Sequence, residues 1–286
     1  PTNSLWAQKF VKQIHKDEQG EHTYHVYLPQ GYAAEKNFPV LLYLHGAGER
    51  GTDGMNPLNV GLAPVLKQRD KPFPFVAVFP QCEDRRSPIL SAWNAYGSEG
   101  QRAMRILDET IENYSLDPER QVVTGWSMGS FGAVSFAEAD PDRWLSVATL
   151  SGGGKPRRPE RLQNLPIRMF HGKNDAIVLP VQSQLLASAL HEAAPGVPWR
   201  TEDVAKRKAT ISGAGLTWDV IESLPVSEAI KTRGQGWRAH VDGWIGSLRA
   251  VGTGDSVGPR PPPLTGAGDF PKLRACLGRA RAGGRG

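Results

Sequence analysis

Cysteine is nearly absent. Cys82 and Cys276 are the only two in 286 residues, they lie far apart, and neither belongs to a CxxC pair. That spacing argues against a zinc ribbon or a dithiol redox centre, and no disulfide-stapled miniprotein is built on so few thiols. No apolar run approaches the ~18 residues of a membrane-spanning helix, so no membrane partner is expected. The chain opens PTNSLWAQKF, which is not an apolar export segment; it reads as cytoplasmic, or as a secreted form whose signal is absent from this chain. Aromatic residues are sparse at 8%, yet 39% of the chain is hydrophobic and 22% charged, the proportions of a large soluble globular domain.

Excess charge is also missing from most of the chain. The net charge is +5, but six basic against two acidic residues from Val251 onward account for +4 of it, which leaves the body near neutrality. A neutral body with a basic end is not the electrostatic footprint of a nucleic-acid-binding domain, so no nucleic-acid partner is expected. Glycine and proline crowd only near the end, around the Pro261, Pro262, Pro263 triplet. Residues 1–251 therefore read as one domain, and 252–286 as a Gly/Pro/Arg-rich tail too poor in apolar groups to offset its ordering entropy.

Within the body, His22 to Leu28 alternates with the period of a half-buried strand at an edge. Pro39 to Leu44 (PVLLYL) and Phe73 to Phe79 (FPFVAVF) are continuous apolar runs, as expected of strands covered on both faces. Short strands follow at Gln121 to Thr124, Leu145 to Leu150 and Ile167 to Phe170, separated by Pro/Gly loops or by helical patterns such as Glu99 to Tyr114 and Ser130 to Ala139. Such alternation predicts βαβ units and a doubly wound α/β sheet. Residues 196–239 mix charge and isolated apolar side chains without a convincing period and read as an irregular insertion.

Gly125-Trp126-Ser127-Met128-Gly129 follows the strand QVVT and precedes a helical segment. In that context a GxSxG sequence is a nucleophile on a sharp strand–turn–helix corner, and glycine is wanted two residues either side of the serine because side chains there would collide across the turn. His45-Gly46-Ala47-Gly48 closes the strand PVLLYL. Its glycines let the Ala47 and Gly48 backbone approach an oxyanion, with the Met128 amide as the second donor, while His45 fixes the loop. Asp175 ends the loop after IRMF, 48 residues beyond Ser127, where an acid is needed to orient a catalytic base. The alternative for Asp175 is a turn aspartate bonded to its own backbone. His171, which precedes the acid, reads as structural.

Taken together, YLPQGYAAEKNFPVLLYLHGAGERGTDG, FVAVFPQC, GWSMGSFGAVSFAEADPDRW, LSGGG and FHGKNDAIVLP resemble the α/β-hydrolase fold. More narrowly they are similar to bacterial esterases labelled predicted peptidase, feruloyl esterase or polyhydroxybutyrate depolymerase-like. The resemblance spans roughly residues 24–190 and implies a mostly parallel central sheet with helices on both faces. It also implies ester hydrolysis by Ser127, Asp175 and a histidine, without metal or cofactor. In that family the histidine stands in a GxGH-like loop before a tryptophan; the nearest counterpart here is Gly213-Ala214-Gly215-Leu216-Thr217-Trp218, with leucine in its place. His240, ahead of a helical pattern at VDGWIGSLRAV, is the candidate base, preferred over His191 in a helical segment.

Only about sixteen residues separate LSVATL from IRMF, too few for a large lid domain, so an open cleft is expected. Trp126 and Trp93 are candidate aromatic walls for small or aromatic acyl esters, free or polysaccharide-linked, the alternative for both being core or rim packing. Two alternatives remain: a serine peptidase of the same fold, and a catalytically impaired hydrolase-fold binding protein.

Overall fold

The computed structural model describes residues 10–68, 73–172 and 175–194, together with strand backbone at 199–204, 208–213 and 216–221. The apolar runs become the inner strands of a sheet: β3 (Val40–Leu44), β4 (Val76–Phe79), β5 (Gln121–Trp126), β6 (Trp144–Leu150) and β7 (Ile167–Gly172). These five run parallel to one another in the order β4-β3-β5-β6-β7. β1 (Phe10–Asp17) and β2 (Gly20–Tyr27) form an antiparallel hairpin that joins through β2 to β4. At the other side β10 (Leu216–Ile221) pairs parallel with β7, followed by antiparallel β9 (Lys208–Gly213) and β8 (Trp199–Val204). Among the described residues the sheet has ten strands, and the fold is the α/β-hydrolase fold.

Continuous hydrophobicity in β3 has a simple cause: its alternate side chains enter two different cores. Val40, Leu42 and Leu44 meet Val78, Val123 and Val147 beneath α2 (Ser98–Asn113), α3 (Met128–Ala139) and α4 (Val181–Ala193). Leu41 and Tyr43 point the other way, to Phe79, Val122, Ala148 and the short α1 (Leu62–Lys67). Helices thus cover both faces. Between β6 and β7 the chain makes one short helical turn, Pro159–Leu162, and no lid.

Two regions depart from the sequence reading. β1 (FVKQIHKD) was not expected because its one buried residue is His15, held by Glu109 on α2 at 2.9 Å, so it lacks an apolar period. Residues 199–221, read as irregular, carry β8, β9 and β10, whose Glu202, Asp203 and Lys208 interrupt any hydrophobic alternation while backbone pairing still forms. The tail 252–286 and His240 lie outside the described residues.

Candidate active site

Because β3 to β7 are parallel, their carboxyl ends deliver five loops to one edge of the sheet, and the candidate residues Ser127, Asp175, Ala47, Gly48 and Met128 all fall on those loops. Ser127 stands between β5 and α3 with φ 53° and ψ −116°, a conformation an L-residue holds only under constraint. The constraint is visible in its neighbours. A Cβ on Gly125 would lie 2.0 Å from the Gly129 carbonyl oxygen, and one on Gly129 would lie 1.9 Å from that of Leu44. The corner is therefore pressed against the end of β3, as the GxSxG pattern requires. Its backbone is tied down by the Ser127 amide on Leu150 O at 2.8 Å, and by the buried Ser130 hydroxyl, which accepts from the Leu150 amide at 2.8 Å. Among the described residues the Ser127 hydroxyl has no hydrogen-bond partner.

The Met128 amide opens α3, where the first N–H groups lack acceptors within the helix. The loop after β3 folds into a tight turn at Ala47–Glu49, with Gly48 exposed. His45 fixes this loop. Its Nδ1–H donates to Gly46 O at 2.6 Å, and its Nε2 accepts from the Cys82 amide at 2.9 Å, an arrangement only the neutral ring with its proton on Nδ1 satisfies. Burial pushes the His45 pKa down to about 4, with the neighbouring Arg50 acting in the same sense.

Cys82 is itself a buried free thiol, pushed up to about 12 by burial, so it is inert here. The segment it begins is anchored from behind: the Glu83 amide donates to Glu99 at 2.8 Å, and Glu99 pairs with the buried Arg102 at 3.0 Å. Arg102 also contacts Asp17, which His22 joins to Glu83 with both contacts at 2.8 Å. Charges buried this way are held by mutual pairing, and removing one partner costs on the order of 3–5 kcal/mol.

Trp93, expected as an aromatic wall, is instead 2% exposed. Its indole N–H donates to His45 O at 3.1 Å, and its ring stands edge-on to the imidazole at 5.1 Å, so it supports the loop from the core. Trp126 is half-buried; its ring would lie 3.3 Å from a Cβ on Gly46, which places it against the same loop. The loops after β4 and β7 also carry exposed apolar residues the sequence reading passed over: Ile89, Leu90 and Tyr96 on the first, Ile177 and Leu179 on the second. An apolar residue in a loop that ends a parallel strand was the available signal.

Asp175 shows the turn-aspartate arrangement. Its Oδ1 accepts the Ile177 and Val178 amides at 3.0 Å, while its Oδ2 lies 3.8 Å from His171 Nε2. His171 is a structural residue: Nε2–H donates to Val178 O at 2.7 Å and Nδ1 faces the Ser183 hydroxyl at 2.7 Å. Leu216 is not where the resemblance put it. Its backbone pairs with Ile167, the first residue of β7, and so lies at the opposite edge of the sheet from Ser127. Leu216, Thr217 and Trp218 open the strand β10. Among the described residues no group of His, Cys, Asp or Glu is arranged to hold a metal ion, and no helix is long and apolar enough to cross a membrane.

A consequence for stability follows from His45. With 6.5 in the unfolded chain and about 4 in the fold, it binds its proton more weakly when folded, so its contribution is complete above 6.5 and is lost as pH falls toward 4. That window is worth up to about 3 kcal/mol from this residue. Burial shifts His25 and His171 in the same direction; Glu49, pushed up by burial, opposes part of the fall. Urea titrations across this range should show a steep loss of stability, shallower in His45→Asn.

The fold and the glycine-clad serine corner define a class, the α/β hydrolases. Within it the chain belongs to the Esterase family, whose model matches residues 17–214. A solved thermostable esterase superposes with a TM-score of 0.59 at 21% identity, covering 85% of this chain and 64% of that one. A mutant feruloyl esterase module from Clostridium thermocellum, complexed with sinapinate, gives 0.55 at 14% identity over 79% of this chain and 86% of that one. At such identities the likeness is one of fold. A stretch of 66 residues is 44% identical to mannonate dehydratase of Rhizobium meliloti; it makes up 23% of this chain and only 16% of that protein.

Proposed function

We propose that the chain is a serine ester hydrolase working through an acyl-enzyme. The observation that carries this reading is Ser127 at φ 53° on a turn whose flanking glycines admit no side chain, beside the Met128 amide at the start of α3. Ser127 attacks the ester carbonyl. His240 takes its proton and returns it to the leaving alcohol, with Asp175 orienting the imidazole through the oxygen not used by its turn. The Met128 amide and the Ala47–Gly48 backbone receive the oxyanion, each such donor being worth roughly 100- to 1000-fold in rate. Water then cleaves the acyl-enzyme.

Small or aromatic acyl esters, of the feruloyl type and free or polysaccharide-linked, are the proposed substrates, because the β6–β7 connection is too short for a lid, Trp126 stands against the loop after β3, and the loops after β4 and β7 carry exposed apolar side chains. In a panel of short-chain nitrophenyl esters, methyl ferulate and long-chain triglyceride emulsions, the first two should be hydrolysed and the emulsions scarcely. Preference for emulsions with interfacial activation would overturn the open cleft. One observation favours a second reading, a binding protein on a hydrolase frame: His45 and His171, the histidines at the ends of β3 and β7, are both committed to structural hydrogen bonds and neither is left to serve Ser127 as base. A folded chain that binds methyl ferulate without cleaving any ester would select it.

A further inference from the structure

The loops after β3 and β4 bring two arginines to the edge of the oxyanion loop. A pocket of about 220 Å³, open to solvent, is lined by Ala47, Gly48, Arg50 and Arg85. Arg50 is half-buried and its direction is set by carbonyls: Nε donates to Ala47 O at 3.4 Å, and Nη1 to Asp84 O at 3.0 Å and Ser87 O at 3.1 Å. Arg85 is exposed and donates through Nη2 to Arg50 O at 3.1 Å. Every one of these acceptors is a neutral backbone oxygen. Among the described residues no carboxylate forms an ion pair with either guanidinium.

The nearby carboxylates, Asp53 toward Arg85 and Asp84 toward Arg50, act on these guanidinium groups through space but place their hydrogen bonds elsewhere. Asp53 Oδ1 accepts the Met55 and Asn56 amides and the Gln81 side chain; Asp84 accepts the Arg86 and Ser87 amides and the Ser87 hydroxyl. A lone surface arginine is ordinarily just solvated. Here two guanidinium groups share one pocket with the proposed oxyanion donors, one of them already oriented, with donors left over. A planar fork of donors matches a carboxylate better than any neutral group of the same size.

We propose that Arg50 and Arg85 form an anion subsite, and that the preferred substrates are esters carrying a carboxylate a few bonds from the scissile carbonyl. This rests on the ester-hydrolase reading for its position beside Ser127. Two matched pairs test it: the 4-nitrophenyl half-ester of adipic acid against 4-nitrophenyl hexanoate, for charge on the acyl side, and 3-carboxyphenyl acetate against phenyl acetate, for charge on the alcohol side. In at least one pair kcat/KM should favour the charged ester by about tenfold, as for a charge-assisted contact at a partly exposed site. The ratio should shrink as salt rises from about 0.05 to about 0.5 M. Arg85→Glu should bring it to unity or below, whereas Lys16→Ala, which removes a like charge from the β1–β2 hairpin, should not change it. Ratios near one in both pairs, or a ratio indifferent to Arg85→Glu, would overturn the subsite and leave the hydrolase reading standing. If no ester is turned over, the hydrolase reading falls, and calorimetric binding of adipate decides the subsite: weaker binding in Arg85→Glu supports it, and absent or unchanged binding rejects it.

Discussion

Ser127→Ala is expected to remove ester turnover by at least about a thousandfold, and up to about a millionfold, while leaving the fold intact. The chemical step fails because a methyl group has no oxygen to acylate. The fold survives because alanine is also an L-residue and inherits the φ of 53° held by the Leu150 and Ser130 contacts, so the strain is the same in both proteins. Ser127→Gly separates the two effects: equally inactive, it should be more stable than the parent by about 1 kcal/mol, since glycine takes this conformation without strain. Residual turnover in a folded Ser127→Ala protein would end the nucleophile assignment. His240→Ala should approach the same loss, and the double variant should be hardly worse, because members of a catalytic triad act as one unit.

The largest effect on stability is expected at Gly129. An added Cβ meets the Leu44 carbonyl oxygen at 1.9 Å and that of His45 at 2.9 Å. These are backbone atoms at the end of a fully buried strand, and no side-chain rotation relieves the clash. Gly129→Ala should cost about 3 kcal/mol or more, the upper range of overpacking effects, and should displace the serine corner so that activity is lost with it. Gly48→Ala is the contrasting variant: nothing lies within 4 Å of its added Cβ and its φ is not positive, so the urea midpoint should stay at the parent value. Equal midpoints for Gly129→Ala and Gly48→Ala would mean that the corner does not press on β3.

These two expectations rest on features that were legible in the sequence. Strands that enter two cores must be apolar throughout, which made β3 readable, and a serine between glycines at a strand–helix junction has few other uses. The helix α2 carried its period openly, and α3 showed itself as a run of small and apolar residues. What stayed hidden is what a linear pattern does not encode. β1 is held by a buried histidine–carboxylate contact rather than by apolar alternation, and Trp93 stands on the core side of the loop after β3 because its indole N–H is used on His45 O. The end of the sheet at which Leu216 falls depends on its register with Ile167, which spacing alone does not give. The Arg50 and Arg85 pair was invisible for a related reason: 35 residues separate them, and only the parallel order of β3 and β4 brings their loops together.

The most direct test of the central claim, that Ser127 is an activated nucleophile, is covalent labelling of the full chain with a fluorophosphonate, followed by mass mapping of the adduct. Serine reacts with such a reagent only when a neighbour accepts its proton and amide donors hold the developing oxyanion. The account predicts one adduct per chain, on the peptide containing Ser127, and none in Ser127→Ala. A folded chain that takes up no label, or takes it up at another residue, would contradict it.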